Sequence, residues 1–171
     1  MIVKKTKTGA GFTLLEVLMT TVILGMGITA LMAGMASSAN VNSGGSEISQ
    51  AVLLTQDVRE WTMNLPFRDP DPADAANPPG PDGSSPQTFV DDLDDLMDVT
   101  YSPPRNSHGD PLNGMNDWSE TITLTWRSLV DPTQTVTPGS STVVNVNVTI
   151  SHYGQAVLSS SWLKTEAVAS P

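Results

Sequence analysis

The 171-residue sequence contains no cysteine, which excludes disulfides, thiolate zinc sites and cysteine nucleophiles. Its only histidines, His108 and His152, lie far apart in segments that read as turns, so no His/Cys metal set can be assembled. Aromatic residues make up only 5% and charged residues 15%, a composition too poor in core-forming side chains for a large globule and too apolar for full disorder. Cations are scarce: 8 Lys and Arg stand against 18 Asp and Glu, giving a formal net charge of -10. A broad basic face for nucleic acid is thereby excluded, and no direct nucleic acid partner is expected. There is no G-x-S-x-G, no phosphate-cradling glycine loop and no H-E-x-x-H, so the sequence reads as a non-enzyme with no cofactor. At this length there is room for one domain, or a small domain with one long appendage.

What the sequence does have is concentrated at its start. Residues 1–11 carry Lys4, Lys5 and Lys7 and no acid, and the composition changes abruptly at Phe12. From Val17 to Ala36 run 20 consecutive uncharged residues. As a helix rising about 1.5 Å per residue they would span about 30 Å, the thickness of a bilayer's hydrocarbon core. A buried core helix would need other apolar surface to wrap it on all sides, and so small a domain has too little. The lysines ahead of the span predict a single-pass inner-membrane protein with a cytoplasmic N-terminus and an exported remainder. A secretory signal would place its small-residue cleavage site beyond the apolar run, whereas Gly9-Ala10-Gly11 precede it. Glu16 interrupts the apolar pattern, and a carboxylate in a membrane helix costs on the order of 3 kcal/mol near the centre. Lys7 is beyond helical reach, so Glu16 either snorkels to the interface or takes a cation from outside its own helix. Gly27, Ala30 and Gly34 form a small-residue stripe, which reads as a close-approach face or as ordinary membrane-helix composition.

Gly11-Phe12-Thr13-Leu14-Leu15-Glu16-Val17 resembles the class III leader junction of type IV pilins and type II secretion pseudopilins. Shared features are a short basic leader, a glycine before the cut, a phenylalanine after it, a glutamate fifth from the new terminus and an apolar helix behind. The span around Val22 to Gly27 is similar to that of minor members. The resemblance implies cleavage by a prepilin peptidase between Gly11 and Phe12, N-methylation of Phe12, and neutralisation by Glu16 of an adjacent subunit's N-terminus during assembly. It also implies as partners other pilin or pseudopilin subunits, an inner-membrane assembly platform and membrane lipid, with a periplasmic or cell-surface filament as the destination. Cleavage would leave 160 residues with 5 basic and 18 acidic side chains, a formal charge of -13. A single-span anchor displaying an acidic extracytoplasmic binding domain is the alternative, but it needs neither the Gly-Phe junction nor Glu16.

Beyond the span, five segments are expected: a leader over 1–11, a transmembrane helix over 12–36, an amphipathic stalk helix over 37–66, an irregular region over 67–118 and a sheet over 119–171. Gly44-Gly45 reads as a flexible joint. Ala51, Leu54, Val58, Trp61 and Leu65 recur at three- and four-residue steps until Pro66 stops the helix. Residues 67–118 hold most prolines and acids and are expected to be loop, partly disordered. Within them, Phe89 to Met97 suggests a short helix with Leu93 and Leu96 inward and Asp91, Asp92, Asp94 and Asp95 outward as a solvated face. Asp110, Asn113, Asn116 and Asp117 form an oxygen-rich loop, and some similar pseudopilins bind calcium near the sheet. Asp110, Asn113 and Asp117 are therefore weak calcium candidates. Ile122, Leu124 and Trp126 alternate with threonines, and Val144, Val146, Val148 and Ile150 alternate with polar residues, marking two strands. A turn at His152 to Gln155 leads to a third, Ala156 to Leu163, with Leu158 and Trp162 on one face. The expected fold is α+β: a long N-terminal helix packed on an antiparallel sheet of about three strands.

Overall fold

A computed structural model describes residues 11–71, 78–81 and 90–167. The fold is α+β, with one long helix, α1 (Leu14–Asn64), and a four-stranded antiparallel sheet. The strands are β1 (Val99–Tyr101), β2 (Trp118–Trp126), β3 (Val143–His152) and β4 (Gln155–Thr165), hydrogen-bonded in that order. The chain divides into two compact units, Met1–Gly45 and Ser46–Pro171.

The first unit is helical from Leu14, and no proline occurs before Pro66 to interrupt it. Among the described residues this is one helix long and apolar enough to cross a membrane, and its apolar window is entirely exposed. Its threonines lie within the apolar surface because each hydroxyl donates back to a carbonyl one turn earlier: Thr20 to Glu16 at 2.6 Å, Thr21 to Val17 at 2.8 Å and Thr29 to Gly25 at 2.8 Å. Helical structure continues through Gly44 and Gly45. The expected joint is thus not a break in the helix, although the boundary between the two units falls there.

In the second unit the α1 stripe behaves as its spacing predicts. Ala51, Leu54, Val58 and Trp61 are buried and Leu65 is packed partly against the same core. Opposite them stand Ile122, Leu124 and Trp126 from β2 and Val144, Val146, Val148 and Ile150 from β3, all buried. The register pairs Ile122 with Val148, Leu124 with Val146 and Trp126 with Val144, so the face of both central strands is hydrocarbon from Ile122 to Trp126 and from Val144 to Val148. Tyr153 and Gly154, both at positive φ (48° and 74°), form the two-residue turn between β3 and β4, the backbone that a tight hairpin with right-handed twist requires.

The region 67–118 is more ordered than its composition predicts. Asp94–Leu96 form a 3-10 turn, Val99–Tyr101 supply the fourth strand, and Leu93, Leu96, Val99 and Tyr101 all enter the core. Phe89 and the prolines and acids at 72–77 and 82–89 lie outside the described residues. The loop at 105–111 is closed by Asn106, whose Oδ1 accepts from the amides of His108 (2.9 Å) and Asp110 (3.0 Å). Gly109, at φ +81°, lies against the Trp61 ring so closely that a Cβ there would sit 2.9 Å from Cζ2.

Candidate functional site

The site singled out by the sequence is the start of α1. Gly11, Phe12 and Thr13 precede the helix, and all three are exposed. Thr13 is the residue from which the helix starts: its carbonyl accepts from the amides of Glu16 (3.0 Å) and Val17 (3.2 Å), and its Oγ1 accepts from the Glu16 amide at 3.3 Å. Glu16 is therefore in the first turn, where the unpaired amides carry partial positive charge and favour an anion. It is also the one ionisable side chain on an exposed apolar surface that includes Leu14, Leu15, Val17, Leu18 and Val22. Chemically, this segment offers an exposed Gly11–Phe12 peptide bond ahead of the helix and a carboxylate in the first turn.

The calcium candidates lie on the loop that leads into β2. Asp110, Asn113 and Asp117 are exposed; the Asp110 carbonyl accepts from the Asn106 amide and the Asp117 carbonyl from the Tyr153 amide. Among the described residues, no three His, Asp or Glu side chains converge on a point that could hold a metal ion.

The interior of the head holds charged groups that the sequence reading did not place there. Asp92 and Asp95 were expected on a solvated face; instead both are buried. Asp92 Oδ1 accepts from the amides of Asp94 (2.9 Å) and Asp95 (3.2 Å), while Asp95 Oδ2 accepts from those of Asp91 (2.9 Å) and Asp92 (3.4 Å). The physical reason is that the first amides of a helical turn have no carbonyl to bond, so a carboxylate three residues away turns inward to serve them. Burial, and then the neighbouring Asp94, push the Asp92 carboxyl up to about 8. These acids and Arg68, which holds Glu166 through two hydrogen bonds of 2.6 and 3.0 Å, line a cleft of about 500 Å³ beside Trp126.

Glu120 is wholly buried on β2, in phase with Trp118, Ile122 and Leu124. Its Oε1 accepts the Arg105 amide at 3.0 Å, and burial raises its carboxyl to about 8. Lys164, near the end of β4, is buried too, and its ammonium donates to the carbonyls of Thr62 and Leu65 at 2.5 Å each. The last turn of α1 contains no basic residue, so the sheet supplies the cation that its free carbonyls and dipole favour. Desolvation lowers the Lys164 pKa. The signal for both residues was phase: Glu120 continues the Ile122, Leu124, Trp126 alternation, and Lys164 continues Leu158 and Trp162. Each of these buried groups bonds the head's own backbone, although Asp92 Oδ2 and Glu120 Oε2 are buried without a hydrogen-bond partner among the described residues.

No family model matches the chain, and no curated protein or solved structure matches it.

Proposed function

We infer that the chain is a structural subunit, a minor one, of a type IV pilus or type II secretion pseudopilus, cut by prepilin peptidase and assembled through α1. The observation that carries this reading is Glu16: a first-turn carboxylate, five residues from the Phe12 that would become the new terminus, on an exposed apolar helix. A helix that only anchors a head gains nothing from a charge there, whereas a helix that must leave lipid and pack beside a neighbour gains a cation partner in the neighbour's α-amino group. The exposed apolar side chains from Phe12 to Met35 supply the packing surface. The loop-rich head fits an initiating or tip position better than close helical repetition along a shaft.

Glu16→Val tests the pairing. The variant should be inserted and processed normally yet recover its partner subunits much less well on co-purification from membranes. Undiminished recovery would remove the charge-pairing argument and favour the single-span anchor.

A further inference from the structure

The cleft beside Trp126 is polar almost entirely through acceptors. Its volume of about 500 Å³ is bordered by the carboxyls of Asp69, Asp92, Asp94 and Asp95 and the hydroxyls of Ser140 and Ser141. Among the described residues its one cation is Arg68, which already holds both oxygens of Glu166. Lys164, whose ammonium feels the Asp92 charge, donates instead to the carbonyls of Thr62 and Leu65. Neither Asp92 nor Asp94 has an ion pair among the described residues. Asp92 is only 3% exposed, and its Oδ2 is buried there with no hydrogen-bond partner among the described residues. A buried carboxyl oxygen left without a donor is costly, and a cation in the cleft would relieve it. The rest of the wall is apolar: Phe67, Pro78, Pro79, Trp126 and Pro138.

We propose that this cleft receives an arginine side chain of a partner polypeptide, with its guanidinium against Asp92 and Asp94 and its aliphatic stem along Trp126 and Phe67. Charge complementarity selects the occupant, because a wall of carboxyls and hydroxyls asks for a guest that is cationic and only donates. No three His, Asp or Glu side chains among the described residues converge to hold a metal ion, which favours an organic cation. A guanidinium presents its N–H donors in a planar fork and serves two neighbouring carboxylates at once. Its stem and flat face suit the apolar and aromatic part of the wall. Binding is also tied to pH. The charged groups facing Asp92 are Asp94 and Asp95 on its own turn and Lys164 on β4. Burial and Asp94 keep the Asp92 carboxyl protonated up to about 8, so a cation arriving at lower pH must displace a proton, whereas at pH 8.5 it meets a carboxylate. The site lies in the head alone and does not rest on the filament reading.

The probe is N-acetyl-arginine methylamide, titrated by calorimetry into the full-length chain in detergent. It should bind saturably, and more tightly at pH 8.5 than at pH 5, while the uncharged N-acetyl-citrulline methylamide of the same shape should not bind. Asp92→Asn and Asp94→Asn each keep one acceptor oxygen for the amides now bonded there, so the turn should survive. Each should weaken binding of the arginine probe about tenfold with an unchanged circular dichroism spectrum. Asp110→Asn removes an exposed acid outside the cleft and should bind as the parent does. The proposal is overturned if the parent shows no saturable binding, if the citrulline compound binds equally, or if both cleft variants bind like the parent. Affinity that does not rise with pH would also overturn it, as would calcium that binds the parent and excludes the arginine probe.

Discussion

Glu120 and Asp92 tie the head's stability to pH in a direction opposite to that of an ordinary surface carboxylate. A carboxyl raised from 4.5 to about 8 in the folded state binds its proton more tightly there than in the unfolded chain. Its contribution is fully present below the unfolded value and is lost as pH rises through about 8, with Asp92 acting in the same sense. The head should therefore melt at a higher temperature at pH 5 than at pH 8.5, and Glu120→Gln, which keeps the shape and removes the titration, should shrink that difference. Equal melting temperatures at the two pH values in the parent chain would contradict this account. Lys164 makes a second test. Replacing it with Met keeps the apolar stem and leaves the buried Thr62 carbonyl and the half-buried Leu65 carbonyl without their donor, at a cost of about 1 to 3 kcal/mol in chemical denaturation. A loss within experimental error would mean that the lysine is incidental to the end of α1.

At the scale of elements, the contact between the 105–111 loop and α1 is set by Gly109. Gly109→Ala would place a Cβ 2.9 Å from the Trp61 ring and force a side chain to adopt φ +81°. A destabilisation of about 1 to 3 kcal/mol is expected, read as a lowered denaturation midpoint, and an unchanged midpoint would show that the loop is not held against the helix. The central strands were legible because period-two alternation is an unmistakable sign of one-face burial, as Val144, Val146, Val148 and Ile150 show. β1 was not legible: three residues between Asp98 and Ser102 carry no period, and their strand character comes from pairing with Glu120, Thr121 and Ile122, distant in sequence. The inward turn of Asp92 and Asp95 escaped for a related reason. A run of aspartates reads as solvated until the amides that need them are known.

For the whole molecule, the helix and the sheet follow from hydrophobic periodicity, while the assembly reading follows from a few residues ahead of and within the first turn of α1. On the proposed reading, the small-residue stripe, the exposed apolar helix and Glu16 would serve α1 as it leaves the membrane to pack beside other subunits. That step would begin with removal of the basic leader. The most direct measurement is intact-mass and N-terminal peptide spectrometry of the protein from membranes of cells with an active prepilin peptidase. The account predicts a chain that begins at Phe12 and carries one methyl group on its α-amino nitrogen; a chain that retains Met1 to Gly11 would contradict it.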